Sequence, residues 1–273
     1  MQLVDTHCHI QSVGVQAGER ATRELWTKAG DISIDDIVRR AHDAGVGRMI
    51  CVGCDLPDSG LAVECVQKRD TLYASIGIHP HEAQKYLGQK ALLDAFADLV
   101  DRPKVIAVGE TGLDYFYEHS PKEAQIEILK FQIELALSHD LPMIFHVREA
   151  FDDFWPIFES YPRDTIHGVL HSFTDSVANM ERAVQHGLYI GVNGIATFAK
   201  ADSEQRVMYR TIPLESLLLE TDSPFLTPVP YRGTVNEPKH IRTIAEFLET
   251  IRGESLTELT EATTKNARAL FRV

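Results

Sequence analysis

Short apolar runs rich in β-branched residues recur along the chain, and segments with helical periodicity lie between them. Several runs are almost continuously apolar, which is typical of strands buried on both faces of a parallel sheet. We predict strands at 3–9, 48–53, 72–78, 104–110, 143–147, 168–171, 189–192 and 217–222. Their spacing of roughly 20 to 40 residues is that of repeated βα units.

Capping patterns mark where several helices begin. A serine begins the helix predicted at 33–45, and Ser120 is the expected N-cap of a helix with Pro121 at its first position. Ser255 and Glu258 form a capping box that begins a helix at 255–271. Two further helices are predicted at 175–186 and 237–251.

Eight βα units predict a closed (β/α)8 TIM barrel as the fold class, with the active site at the C-terminal ends of the strands. We expect one domain over residues 1–273, because such barrels commonly occupy about 250 residues. A doubly wound open sheet is the alternative. It is disfavoured because no Gly-x-Gly-x-x-Gly follows the first strand.

The net charge of the chain limits the kinds of partner that it can bind. With 27 Lys and Arg against 40 Asp and Glu, the net charge is −13. This argues against a broad basic surface for stable nucleic-acid binding, because phosphates are normally met by Lys and Arg. It does not exclude nucleic acid as a transient substrate, since bound divalent metals would concentrate positive charge in the site itself.

The chain shows no targeting or membrane signal. No run approaches the roughly 18 apolar residues of a membrane span, and no signal peptide is visible. Four cysteines in 273 residues do not indicate a disulfide framework, and we read Cys51 and Cys54 as buried thiols. We therefore expect a cytoplasmic protein without a membrane partner or an obligate protein partner, and a monomer.

Histidines and carboxylates collect at the predicted strand ends. His7 and His9 are two positions apart on a strand, so their rings can reach one divalent cation, although a pair of core or surface histidines gives the same string. Other strands end near His79, His81, Glu110, His146, Arg148, His171 and Asp222. One barrel mouth would bring these ends together. Four histidines, one glutamate and one aspartate suffice for two metals that share a bridging carboxylate.

These strand-end motifs resemble the TatD family of metal-dependent deoxyribonucleases, within the amidohydrolase-like barrels. The matching motifs are Asp-Thr-His-Cys-His at 5–9, Gly-Ile-His-Pro-His at 77–81, Gly-Glu-Thr-Gly-Leu-Asp-Tyr at 109–115, His-Val-Arg-Glu at 146–149, His-Ser-Phe at 171–173, Glu-Thr-Asp-Ser-Pro at 220–224, and the segment 231–238. Many related barrels have a carboxylated lysine where this chain has Glu110. Two features depart from the family: Asp175 replaces a usual glycine, and 13–31 forms a longer insert.

The resemblance implies two divalent cations, Mg, Mn or Zn, as cofactors. One would be held by His7, His9, Glu110 and Asp222, and the other by Glu110, His146 and His171. Glu110 would bridge metals about 3.5–4 Å apart, and a water held between them would lose its proton near neutral pH. Asp222 would orient that water and accept its proton. Imidazole-rich ligation suits Zn, Mn or Ni better than Mg, whereas the family is associated with Mg.

The sequence indicates the residues that contact substrate less specifically than it indicates the metal ligands. The resemblance implies that His79 and His81 bind a substrate phosphate, while the alternative is a pair of loop histidines around Pro80. Arg148 could bind a phosphate bidentately or pair with Glu149 or Asp152. Arg232 could line the mouth. Asp114 and Tyr115 are expected only to shape a turn.

The resulting hypothesis is a hydrolase that cleaves DNA phosphodiester bonds, from the 3′ end of single strands. The alternative is that the same centre hydrolyses an ester or amide, as in D-aminoacyl-tRNA deacylation. A third hypothesis is a metal-binding scaffold without catalysis, for which Glu110 and Asp222 would be dispensable.

Overall fold

The computed structural model describes residues 2–15 and 20–273, and its centre is an eight-stranded parallel sheet. Each strand pairs with the next one along the chain. The strands are β1 Leu3–Cys8, β2 Val46–Val52, β3 Leu72–Ile76, β4 Val105–Asp114, β5 Met143–Arg148, β6 Gly168–Leu170, β7 Tyr189–Val192 and β8 Leu217–Leu219. A parallel bridge joins Cys8, at the end of β1, to Ser223 in the segment that follows β8. The prediction of a (β/α)8 barrel is confirmed.

Ten α-helices surround the barrel in the described part of the chain. They are α1 Arg20–Lys28, α2 Ile34–Asp43, α3 Leu56–Gln67, α4 Lys90–Ala97, α5 Lys122–Ser138, α6 Phe151–Phe158, α7 Val177–Gln185, α8 Glu204–Thr211, α9 Ile241–Ile251 and α10 Leu256–Phe271. None of the helices formed by residues 2–15 and 20–273 is long and apolar enough to cross a membrane.

The capping predictions have different outcomes. Ser255 accepts from the Glu258 backbone N–H and begins α10 as predicted, with the full capping box formed. The prediction for Ser120 is wrong, because Pro121 is the N-cap residue and α5 begins at Lys122. The Ser120 hydroxyl donates instead to the His81 carbonyl, at 2.8 Å, and so ties the loop after β3 to the start of α5.

Two other helices begin later than predicted. The segment predicted as a helix from 237 starts with a 3-10 turn at Pro238–His240, and α9 follows from Ile241. In α7 the N-cap is Ser176, and the preceding Asp175 accepts from Asn179 Nδ2 at 2.7 Å. Asp175, a departure from the family pattern, therefore supports the start of this helix.

Alternation along the strands divides the core into two layers. In β2, Met49 and Cys51 pack in a large cluster with residues of the surrounding helices, while Ile50 and Val52 belong to a smaller cluster. The smaller cluster also contains Phe271 of α10, whose Asn266 donates to the Leu217 carbonyl at the start of β8. The C-terminal helix thus closes the N-terminal end of the barrel, which leaves the opposite end for a site.

Two local predictions concern cysteines and the insert. All four cysteines are free and buried, as expected. Of the insert at 13–31, residues 16–19 lie outside the described residues, and 20–28 form α1. Trp26 of α1 is buried and donates from Nε1 to the His9 carbonyl at 3.0 Å, so this helix packs against the loop that follows β1.

Candidate metal centre

A cavity of about 920 Å³ opens at the C-terminal ends of the strands. Its wall contains most of the predicted site residues, namely His9, His79, His81, Glu110, His146, Arg148, His171 and Asp222. His7 is fully buried and its Nε2 lies 3.3 Å from Glu110 Oε2, so it completes the group from below the cavity surface. The barrel therefore brings together all six predicted metal ligands.

Glycines bring the neighbouring strands close to Glu110. A Cβ added at Gly77, after β3, would lie 2.2 Å from the Glu110 backbone nitrogen. A Cβ added at Gly112 would lie 1.9 Å from the His146 carbonyl oxygen, and Gly112 has φ +151°, which side chains rarely adopt. Only glycine permits this approach of β3 and β5 to β4, which places His79, after β3, and His146, on β5, beside Glu110.

The first group of donors consists of His7, His9 and Asp222. The two Nε2 atoms lie 3.2 Å apart, and Asp222 Oδ1 lies 3.3 Å from His9 Nε2 and 3.8 Å from His7 Nε2. A cation with bonds of about 2.0–2.1 Å to tetrahedral ligands holds those ligands about 3.3–3.4 Å apart. The spacing of this group thus fits a divalent cation.

Glu110 faces donors on both sides through its two oxygens. Oε2 lies 3.3 Å from His7 Nε2, and Oε1 lies 2.7 Å from His146 Nδ1 and 3.4 Å from His79 Nε2. His79, Glu110 and His146 form a second group that could hold a cation. His79, expected to contact only substrate, therefore lies among the candidate ligands.

His171 is grouped differently from the sequence expectation. It was assigned to the same metal as His146, but its Nε2 lies 3.8 Å from Glu110 Oε1, and its ring stacks on His7 with centroids 3.5 Å apart. His7, Glu110 and His171 form a group of potential ligands between the other two. The direction of the His171 ring, which sequence spacing does not determine, produces this arrangement.

Oxygen atoms of neighbouring groups contact a ring nitrogen of several histidines and orient the imidazole rings. His9 Nδ1 lies 2.8 Å from the Val52 carbonyl oxygen, which fixes the proton on Nδ1 and leaves Nε2 as the donor atom. His171 Nδ1 lies 2.9 Å from Glu220 Oε1, and His146 Nε2 lies 3.0 Å from Asp114 Oδ2. Carboxylates in these positions hold a ring and raise its basicity as a ligand.

Sequence reasoning missed the roles of Asp114 and Glu220. Both occur in the quoted strand-end motifs, but Asp114 was expected only to shape a turn and Glu220 was given no role. Asp114 does shape the turn, because Oδ1 accepts from the Phe116 and Tyr117 N–H groups, yet its Oδ2 also contacts His146. The sequence placed both carboxylates at strand ends, but it did not show which histidine each one contacts.

The electrostatics of the centre favour a cation. Burial would raise the pKa of Glu110, but the nearby imidazoles of His79 and His171 hold it well below its usual range. Burial likewise opposes a charge on His9, but the hydrogen bond that His9 donates to Asp222 and the charge of that carboxylate raise the pKa of His9 to about 10. A cation bound at His9 would therefore have to displace the Nε2 proton. Burial lowers the pKa of His7, which favours the neutral imidazole that binds metals. Ionised carboxylates beside a neutral imidazole are the chemistry of a divalent site.

Arg148 lies at the cavity wall. Its guanidinium lies 4.1 Å from the ring centroid of Phe116 and 4.9 Å from that of Tyr117. Within the described residues it forms no ion pair with Glu149 or Asp152, which was the alternative interpretation. Its donors therefore remain available at the mouth.

The other predicted substrate contacts lie in different places. His81 lines the cavity, and its Nε2 lies 3.0 Å from Asp114 Oδ2. The guanidinium of Arg232 lies 3.9 Å from the ring centroid of Phe198, in the loops after β7 and β8 and outside the cavity lining. Asn236, in the same 231–238 motif as Arg232, is fully buried and donates to the Thr221 carbonyl at 2.8 Å, so it supports the loop after β8.

The fold and this cluster together define the class, a (β/α)8-barrel metal-dependent hydrolase. The model of the family described as TatD related DNase matches residues 4–272. The chain therefore belongs to the TatD family of metal-dependent hydrolases.

Three relatives illustrate the similarity. An uncharacterized metal-dependent hydrolase, YabD, from Bacillus subtilis is 34% identical over 99% of this chain and 99% of its own length. The 3′-5′ ssDNA/RNA exonuclease TatD of Escherichia coli is 33% identical over 87% of this chain and 92% of its own length. The crystal structure of YjjV, a TatD homologue from E. coli, superposes with a TM-score of 0.83 at 30% identity, over 99% of this chain and 98% of that one.

Proposed function

We propose that this protein is a 3′–5′ exonuclease that hydrolyses phosphodiester bonds of single-stranded DNA with two divalent cations, Mg, Mn or Zn. The main observation is the Glu110 carboxylate, which lies between histidines of two groups at the floor of an open cavity. A relative named as a 3′-5′ ssDNA/RNA exonuclease aligns over 87% of this chain and supports the same reaction.

Each group of donors has an expected role. His7, His9 and Asp222 would hold one cation, and His146 with His79 or His171 would hold the other; the Glu110 carboxylate lies between the two groups. Bound divalent cations lower the pKa of water and stabilise negative charge on phosphoryl oxygens. The remaining roles belong to side chains of the protein itself.

Asp222 is the proposed proton acceptor. Its side chain is 14% exposed and lines the cavity, whereas that of Glu110 is 6% exposed. Burial would raise the pKa of Asp222, but hydrogen bonding to His9 and the nearby imidazoles lower it, so the carboxylate is ionised at neutral pH. An ionised carboxylate at the cavity surface can orient a water and take its proton. His81 and Arg148, also on the wall, are proposed to bind the substrate phosphates.

The test is digestion of a 5′-labelled single-stranded oligonucleotide with Mg, Mn or Zn, and with chelator. We expect a cation-dependent ladder of progressively shorter labelled products, and Asp222→Asn to be slower by about 10²–10⁴-fold. Asp140→Asn is the matched control, because Asp140 is exposed and pairs with Arg272 away from the cavity.

Other substrates separate the alternatives. A circular single strand should stay intact, since it has no 3′ end. Absence of cleavage with every cation, together with hydrolysis of a D-aminoacyl ester, would contradict the nuclease proposal and support the ester reaction.

A further inference from the structure

Two exposed aromatic residues are adjacent at the edge of the cavity, with their rings in edge-to-face contact and the centroids 4.7 Å apart. Phe116 and Tyr117, in the loop after β4, are 50% and 51% exposed. Single exposed apolar side chains are ordinary on protein surfaces and need no explanation. An adjacent pair beside a candidate active site is different, because Tyr117 itself lines the cavity.

The loop that carries this pair is held at its base. Asp114 Oδ1 accepts from the Phe116 and Tyr117 N–H groups, each at 3.0 Å. The Asp114 backbone N–H donates to Gln125 Oε1 of α5 at 2.7 Å, and Gln125 Nε2 donates back to the Asp114 carbonyl at 3.1 Å. Both rings are therefore presented by an anchored turn, at a fixed place on the rim.

The same anchor connects the rings to the metal centre. The other oxygen of Asp114, Oδ2, lies 3.0 Å from His146 Nε2, and His146 Nδ1 contacts Glu110. One buried carboxylate thus sets the position of both the aromatic pair and a candidate ligand. A substrate group resting on the rings would lie at a defined distance from the hydrolysed bond.

The surfaces of these side chains suit a flat, weakly polar ligand group that is joined to an anion. The guanidinium of Arg148 lies 4.1 Å from the Phe116 centroid, and Tyr117 stacks on His119 with an interplanar angle of 4°. Arg148, His119 and Tyr117 all line the cavity. Aromatic rings and arginine planes are the surfaces on which unpaired nucleobases stack, while arginine also binds phosphate.

We propose that Phe116, Tyr117 and Arg148 form a stacking platform for a nucleobase of the substrate strand, adjacent to the phosphate that is hydrolysed. This inference rests on the proposed nuclease function and identifies the unpaired base as the feature of the substrate that the protein recognises. A base inside a duplex has both faces covered by its neighbours, so the platform favours an unpaired base. The platform thereby selects single-stranded ends without reading their sequence, since every base has a π-face.

The test compares two oligothymidylates of equal length, one intact and one with abasic residues in its last two positions at the 3′ end. We expect the wild type to prefer the intact strand by roughly 10- to 100-fold in kcat/KM, the range of one base–aromatic stack. In the double variant Phe116→Ala with Tyr117→Ala this preference should fall toward one. The change should appear in KM for the intact strand, while cleavage of the abasic strand remains.

Two variants serve as controls. Tyr117→Phe keeps the ring and should keep the preference. Tyr231→Ala removes a ring of similar exposure, 46%, which is already stacked on His240 with centroids 4.7 Å apart. It should also behave as the wild type. An unchanged preference in the double variant, or equal losses on both strands, would overturn the platform, because the second result is that of a loop that only supports the metal centre.

A binding arm separates this proposal from the nuclease proposal. Fluorescence anisotropy of both labelled strands would be measured with wild-type protein and the double variant, with Mn and with chelator. Wild-type protein that cleaves neither strand but binds the intact one more tightly, in a manner lost in the double variant, would refute the nuclease function and support the platform. Cleavage without any base preference would refute the platform alone.

Discussion

The Glu220 carboxylate is fully buried behind His171, with Oε1 2.9 Å from Nδ1 of that ring. The same oxygen accepts from the Ser172 N–H at 2.6 Å. Burial opposes protonation of His171, but the charges of Glu220 and Glu110 raise its pKa. Glu220 therefore holds the ring in place and makes its outer nitrogen a stronger donor.

We predict that Glu220→Gln weakens cation binding by about 10- to 100-fold, because the amide keeps the shape but loses the charge behind His171. Competition with a chromogenic chelator would measure the affinity. Glu215→Gln is the matched control, because Glu215 is exposed and lies just before the N-terminal end of β8. Equal affinities in both variants would show that Glu220 does not act through His171.

At the scale of elements, β4 organises the centre. It carries Glu110 and Asp114, and its pairing with β5 shifts in register between Val108 and Thr111. We expected this strand to end at 110, between the glycines at 109 and 112. In the structure they are points of close approach, and the strand continues to Asp114.

Gly112→Ala should disturb this element strongly. The added methyl would meet the His146 carbonyl oxygen, and alanine would have to adopt φ +151°. We expect the free energy of unfolding to fall by at least about 1–3 kcal/mol, measured by urea denaturation, with a loss of cation affinity. Gly253→Ala, where nothing lies within 4 Å of the new methyl, should leave both quantities near the wild-type values.

At the scale of the whole molecule, the candidate ligands come from segments far apart in the chain. His7, Glu110, His171 and Asp222 follow or lie on the first, fourth, sixth and eighth strands. A cation held among them would connect opposite sides of the barrel. It would also offset the negative charge of the buried carboxylates, in a protein whose net charge is −13.

Cation binding should therefore stabilise the fold. At a free Mn concentration about 100 times the Kd, the gain is about 2.7 kcal/mol, which would appear as a higher Tm and reverse with chelator. Glu110→Ala should abolish the shift, and Asp140→Asn should retain it. An identical Tm for wild-type protein with Mn and with chelator would contradict binding at this centre.

The barrel, the side chains gathered at its mouth and the family were all predicted from the sequence. Apolar periodicity and strand-end motifs are local, and the barrel topology places all the strand ends on one face. The sequence did not show which imidazole faces which carboxylate, that His79 joins the candidate ligands, or that Asp114 and Glu220 hold rings from behind; these features became visible in the folded barrel. The direction of each ring, and the group that contacts it from behind, depend on how closely the neighbouring strands approach, as they do at Gly77 and Gly112. Residue spacing within one segment of the chain does not encode that approach.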